Sequence, residues 1–169
     1  VIARVRALLA RMPPLTGEPI ELRYRVESAS AHAGSFLRER RISLDPALRR
    51  SPEEFARIFT HELFHFVWVR IGNARRRSFG DLVARELRAG VPGELGWSAE
   101  RRKLALRRRD AERRTRPWRL YCCESFCDTA AWLYSGVLEH EEFALPRGAR
   151  AARREWFRKL QWGMRRFPV

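Results

Sequence analysis

Hydrophobic positions along the chain change period several times, and each change marks an element. Val1, Val5, Leu8, Leu9 and Met12 fall at helical spacing, and Pro13-Pro14 ends that run, so the pattern predicts a packing helix over 1–12. From Ile20 to Val26 the period drops to two: Ile20, Leu22, Tyr24 and Val26 alternate with charged residues, as in a strand with one buried face. The small residues of Ser28 to Ser35 predict a turn, and Ile42 and Leu44 within Arg40 to Leu44 predict a second short strand ended by Asp45-Pro46. Ser51-Pro52-Glu53-Glu54 is a helix start, with Ser at the N-cap, Pro in the first turn and carboxylates facing the positive end of the dipole. The helix it opens is apolar on most sides from Phe55 to Ile71 and stops at Gly72-Asn73, which predicts burial.

Beyond it the pattern weakens. Residues 73–118 form an Arg-rich excursion, read as loop and helix, partly mobile, with an exposed helix over Ser98 to Arg114. Apolar character returns at Tyr121 to Leu138, a predicted helix. A last helix over Ala149 to Arg166 carries the stripe Ala152, Trp156, Leu160 and Met164. At 169 residues the whole chain, 1–169, fits one domain.

Charge adds one question. The net charge is +15 and nearly all of it is arginine, since Lys occurs only at Lys103 and Lys159. That surplus attracts nucleic acid or anionic lipid at long range, but runs of one charge are usually solvated faces, and arginine enrichment also follows from GC-rich coding. Cys122, Cys123 and Cys127 are an odd, clustered set that does not make a disulfide framework; they read as small core residues in a reducing, cytoplasmic compartment. No leader is visible, although a chain that begins at Val1 without Met is compatible with a removed segment. No apolar run reaches the ~20 residues of a membrane span.

The chemistry lies in His61-Glu62-Leu63-Phe64-His65. Histidines four apart stand about 40° apart around a helix and about 6 Å apart along it, so both reach one cation. Polar groups inside so apolar a helix must find partners or a metal. In the H-E-x-x-H arrangement the glutamate is a general base that deprotonates water polarised by the metal, the role predicted for Glu62. A catalytic Zn2+ needs a third protein ligand and an open position. Glu124 is the favoured third ligand, because it and Asp128 share one face of a later apolar helix, leaving Asp128 to orient a ligand histidine. His140 is a weaker competitor, and Glu86, Glu94 and Glu112 lie among arginines that explain them as ion pairs.

On His61, Glu62, His65, Glu124 and Asp128 the chain resembles the gluzincin metallopeptidases, in which a later helix supplies a Glu ligand followed four residues on by Asp. Its order of elements is similar to that of the minigluzincins and of ImmA/IrrE-type peptidases. The resemblance covers roughly 20–146 and rests on those five residues. It implies an α+β, zincin-like fold: a small antiparallel or mixed sheet whose edge strand lies over a buried active-site helix, and a second helix that carries the glutamate. It further implies a peptide or protein substrate that adds to the edge strand, here Arg40, Arg41, Ile42, Ser43 and Leu44, through main-chain hydrogen bonds. The chain departs from the pattern in its long spacing from His65 to Glu124 and in lacking a clear Tyr or His to stabilise an oxyanion; Tyr121, Tyr134 and His140 are the candidates. The expected function is zinc-dependent peptide hydrolysis. The alternative is a basic nucleic-acid-binding or regulatory protein with a structural or vestigial zinc site, using the arginine runs and Trp118, Trp156 and Trp162. A peptidase of the SprT type acting near DNA would need a third His soon after the helix, and none occurs between Phe66 and Glu139.

Overall fold

The computed structural model describes residues 2–25 and 33–169. In chain order these form α1 (Ile2–Leu9), β1 (Leu15–Thr16), β2 (Glu21–Tyr24), β3 (Ala33–Phe36), β4 (Arg41–Leu44), a 3-10 turn (Pro46–Arg50), α2 (Pro52–Arg70), α3 (Asn73–Arg88), α4 (Trp97–Leu104), α5 (Arg108–Arg113), α6 (Arg116–Tyr134), α7 (Arg147–Met164) and β5 (Phe167–Pro168). The class is α+β. Val1, Val26 and most of the turn expected over Ser28 to Ser35 lie outside the described residues.

The main sheet is mixed, in the order β2-β4-β3, with β4 parallel to β2 and antiparallel to β3. This corrects the expected edge. Arg41 to Leu44 is the central strand, bonded on both sides, and Ile42, Ser43 and Leu44 are buried. The end of the expected turn is instead the edge strand β3, which packs along α2. A second sheet is one short parallel pair, in which Leu15 and Thr16 match Phe167 and Pro168.

α2 begins as its sequence dictates, with Pro52 in the first turn and Glu53 and Glu54 beside it; Ser51 holds the N-cap position, though its side chain makes no capping bond. Gly72, at φ +85°, lets the chain leave α2 and enter α3 without a longer loop. α3 is a regular helix whose Phe79, Leu82 and Val83 are buried, so the excursion is built into the core. The single exposed helix expected over Ser98 to Arg114 is two short helices, α4 and α5.

The core is aromatic. Phe126 of α6 stacks on Phe157 of α7 at 4.9 Å between ring centroids, and Phe64 of α2, Phe79 of α3 and Trp68 close around them. Phe64 and Trp68 are four apart, as are His61 and His65, so one set of residues faces the core while the other faces the neighbouring surface of α6.

The buried face of α7 is Arg153, Phe157 and Leu160, one position round from the expected stripe; Ala152 is exposed. Arg153 is wholly buried, and its guanidinium bonds Glu86 Oε2 at 2.6 Å and Glu94 Oε2 at 2.7 Å. Tyr121 donates to Glu94 Oε1 at 2.6 Å, and Lys103 Nζ lies 3.7 Å from it. This network ties α3, α6, α7 and the segment leading into α4 together at one point.

Candidate metal centre

α2 and α6 lie side by side, and their facing positions carry the polar residues. His61 Nε2 and His65 Nε2 are 3.2 Å apart, and Glu124 Oε2 is 3.3 Å from the first and 3.8 Å from the second. A tetrahedral ion bound at about 2.0–2.2 Å sets its ligand atoms about 3.3 Å apart, so the triangle has the size such an ion requires. The three side chains are only 12%, 17% and 13% exposed, so these atoms converge in a largely dry setting. The group can hold a metal ion.

Each histidine is oriented through its other nitrogen. Asp128 Oδ1 accepts from His61 Nδ1 at 2.6 Å, and Asp128 Oδ2 accepts from the Ala99 N–H of α4 at 3.0 Å. Gly96 makes this possible, because a Cβ there would lie 2.3 Å from the Asp128 carboxylate carbon. Its backbone is extended and unstrained, so the requirement is for space alone. Cys123 Sγ lies 3.4 Å from His65 Nδ1. The cysteines are therefore not all inert core residues: Cys122 and Cys127 are buried, whereas Cys123 is partly exposed and lies against a candidate ligand, His65. His65, Cys123 and Cys127 are close enough to hold an ion themselves. In that set Cys123 Sγ lies beside His65 Nδ1, the nitrogen turned away from Glu124 and His61. Asp128→Asn and Gly96→Ala both disturb the support of His61, and each is expected to weaken metal binding about 10- to 100-fold, measured by competition against a chromophoric chelator.

The charges of the site hold these side chains together as ion pairs. Burial opposes a charged His61, but the Asp128 carboxylate, with Glu124 and Glu62, overrides it and raises the imidazole pKa well above the usual range. Burial also pushes Glu124 up; the hydrogen bond from His61 and the charges of His65, His61 and Arg102 prevail and bring its carboxyl down to about 2. Arg102 of α4 approaches the other carboxylate oxygen, Oε1, at 3.3 Å. At Cys123 the hydrogen bond with Cys127 outweighs burial and, with His65, lowers the thiol to about 6.

Glu62 is buried at the edge of the triangle, where the Ser35 hydroxyl bridges its carboxylate Oε2 at 2.5 Å and its main-chain carbonyl at 2.7 Å. A cleft of about 260 Å³ opens here, walled by Gly34, Ser35 and Leu37 on one side, Ser98 on the other, and His61, Glu62, His65 and Glu124 at its base. The sequence reading missed Ser35, Gly96, Ser98 and Arg102. Only Gly96 left a sequence signal, as a glycine just before a helix start.

The expected substrate strand and oxyanion groups lie elsewhere. Arg40 donates to the carbonyls of Pro19 and Val169 at 3.2 Å each, and Arg41 pairs with Glu39 and lies 4.1 Å over the Phe36 ring, so both brace the sheet. Ile42, Ser43 and Leu44 are interior. Tyr121 is wholly buried against Glu94, Tyr134 stacks on Phe64 at 5.5 Å, and His140 Nε2 bonds Glu54 at 2.7 Å near the start of α2. Glu86 and Glu94 are the partners of Arg153, in keeping with their reading as ion pairs.

Comparison with protein-family models, with curated proteins and with solved structures finds no match to this chain. Among the described residues no helix is long and apolar enough to cross a membrane.

Proposed function

We propose that this chain is a zinc-dependent peptidase of zincin-like architecture. The observation that carries the reading is the convergence of His61 Nε2, His65 Nε2 and Glu124 Oε2 at the base of an open cleft, with the Glu62 carboxylate at its edge. Two imidazoles and one carboxylate are a donor set suited to catalytic zinc. Zinc held there would supply Lewis acidity and bring the pKa of a water down to about 7.

The chain's own residues supply the rest. Asp128 keeps the proton of His61 on Nδ1 and so directs Nε2 to the ion, and Cys123 is the corresponding neighbour of His65. Glu62 takes the proton from the attacking water and returns it to the leaving nitrogen, while Ser35 holds its carboxylate in place. Among the described residues β3 is an edge strand beside the cleft, and an extended peptide can pair with it as an added strand. Gly34 and Ser35 keep that edge low enough for a backbone to pass over the ligands. Arg102, 3.3 Å from Glu124 Oε1, is the candidate for the oxyanion role that Tyr121, Tyr134 and His140 do not fill.

The decisive measurement combines metal content with hydrolysis. The purified protein is expected to carry one equivalent of zinc and to cleave an unfolded protein substrate. Removing the metal with 1,10-phenanthroline should stop cleavage and added zinc should restore it. Cleavage that persists in the metal-free protein would refute the proposal.

A further inference from the structure

A second cleft, about 520 Å³ and larger than the one over the histidines, opens on the other side of α6. Trp68, Trp118, Val69 and Leu120 give it apolar walls; the two indoles are 7% and 4% exposed, whereas Val69 and Leu120 are 38% and 37% exposed. Five arginines line it: Arg76, Arg77, Arg114, Arg116 and Arg119. Among the described residues only Arg114 of these is paired with a carboxylate, Asp81, at 3.0 Å. Arg76 spends its guanidinium on the Asn73 amide oxygen and Arg119 on a main-chain carbonyl.

The placement of the charge is the second observation. Arg76 lies in the first turn of α3, and Arg116 and Arg119 in the first turn of α6. Helix N-termini favour acidic groups and disfavour cations, yet neither first turn contains an acidic residue. First-turn residues of two helices, Asn73 and Arg76 of α3 and Arg116 and Arg119 of α6, thus line one apolar hollow. An anion seated there relieves both conflicts together.

We propose that this cleft is a binding site for a free amphiphilic anion, a hydrocarbon body bearing a phosphate or carboxylate head. The apolar body lies against Trp68, Trp118, Val69 and Leu120, and the head meets Arg77 and Arg116. The volume falls within the roughly 300–1,000 Å³ of small-molecule sites. A nucleic-acid strand is the less suited occupant: the two indoles are almost wholly buried, whereas a strand requires aromatic faces presented for successive bases along a groove. Cys123 lines this cleft and also neighbours His65, so the ligand would sit directly behind the candidate metal centre.

Dodecyl phosphate, kept below its critical micelle concentration, is the probe, with binding followed by tryptophan fluorescence and calorimetry on the whole protein. Dodecyl phosphate should bind at least about tenfold more tightly than octyl phosphate, because each buried methylene contributes about 0.8 kcal/mol. Dodecanol and inorganic phosphate should each bind at least about tenfold more weakly than dodecyl phosphate, since each lacks one half of the recognition. The double variant R77E/R116E, changed only at exposed side chains, should lose about tenfold or more in affinity with its thermal unfolding temperature not lowered. Equal binding of dodecanol, no dependence on chain length, or undiminished binding by R77E/R116E would each overturn the proposal. So would tighter binding of a single-stranded oligothymidylate lost in the same variant, or binding to phosphatidylglycerol vesicles alone. None of these readouts depends on metal or hydrolysis, so they stand apart from the peptidase reading.

Discussion

Glu62→Gln is expected to keep its zinc and lose hydrolysis, with kcat lower by about 10²- to 10⁴-fold, the usual contribution of a positioned general base. Glutamine has the shape of glutamate and can still accept from the Ser35 hydroxyl, which is 2.5 Å from the native carboxylate, but it cannot take a proton from water. Glu62 has no place in the ligand triangle, so metal content, measured by elemental analysis, should stay at the wild-type level. Glu124→Gln should behave in the opposite sense and release the metal. A Glu62→Gln protein with full activity would show that the proton is removed by another group and that this mechanism is wrong.

Arg153→Met should lower stability by about 3–5 kcal/mol, the cost of leaving buried carboxylates without their cation. For a domain of this size that corresponds to a fall in Tm of about 10 °C or more. Glu94 loses both its main cation and the reason its carboxyl is ionised: burial raises its pKa, and the charge and hydrogen bonds of Arg153 are what bring it below the ordinary value. The sign of the pH dependence follows. A carboxyl whose folded pKa is depressed contributes stability above its unfolded pKa and loses it as pH falls through the folded value. The penalty of Arg153→Met should therefore be full near neutral pH and shrink in acid, where wild type gives up the same interaction. Urea unfolding of both proteins at neutral pH and below the ordinary carboxylate range measures this. A penalty constant with pH would mean that lost packing, not lost charge, sets the cost.

The residues of the candidate centre were legible in the sequence because its elements are local. His61 and His65 are one helical turn apart, as are Glu124 and Asp128, and both pairs interrupt strongly apolar helices. Their meeting, with Asp128 2.6 Å from His61, required only that the two apolar helices pack together. Strand order is a different kind of information. Ile42 and Leu44 alternate as they would in any half-buried strand, and nothing in that alternation distinguishes a central strand from an edge. Ala33-Gly34-Ser35 has little strand propensity and reads as the end of a turn, yet small residues at that edge leave the cleft open. Hydropathy also misassigned α7, because it cannot count a wholly buried arginine as core. Tyr121 was a reasonable candidate by position, but the Glu94 carboxylate that occupies it comes from a segment 27 residues away, which no periodicity reveals.

The carboxylate of Asp128 touches two things at once, the His61 imidazole and the backbone at the start of α4. Trp97 N–H, two residues before that contact, is held in turn by Glu142 at 2.8 Å, from the segment that leads into α7. The tilt of the His61 ring and the width of the cleft wall bearing Ser98 are thus a single mechanical coordinate, with Asp128 as the rigid strut between them. On the proposed function, a substrate that pushes α4 outward would turn the ring, and a ring locked by an ion would stiffen the wall.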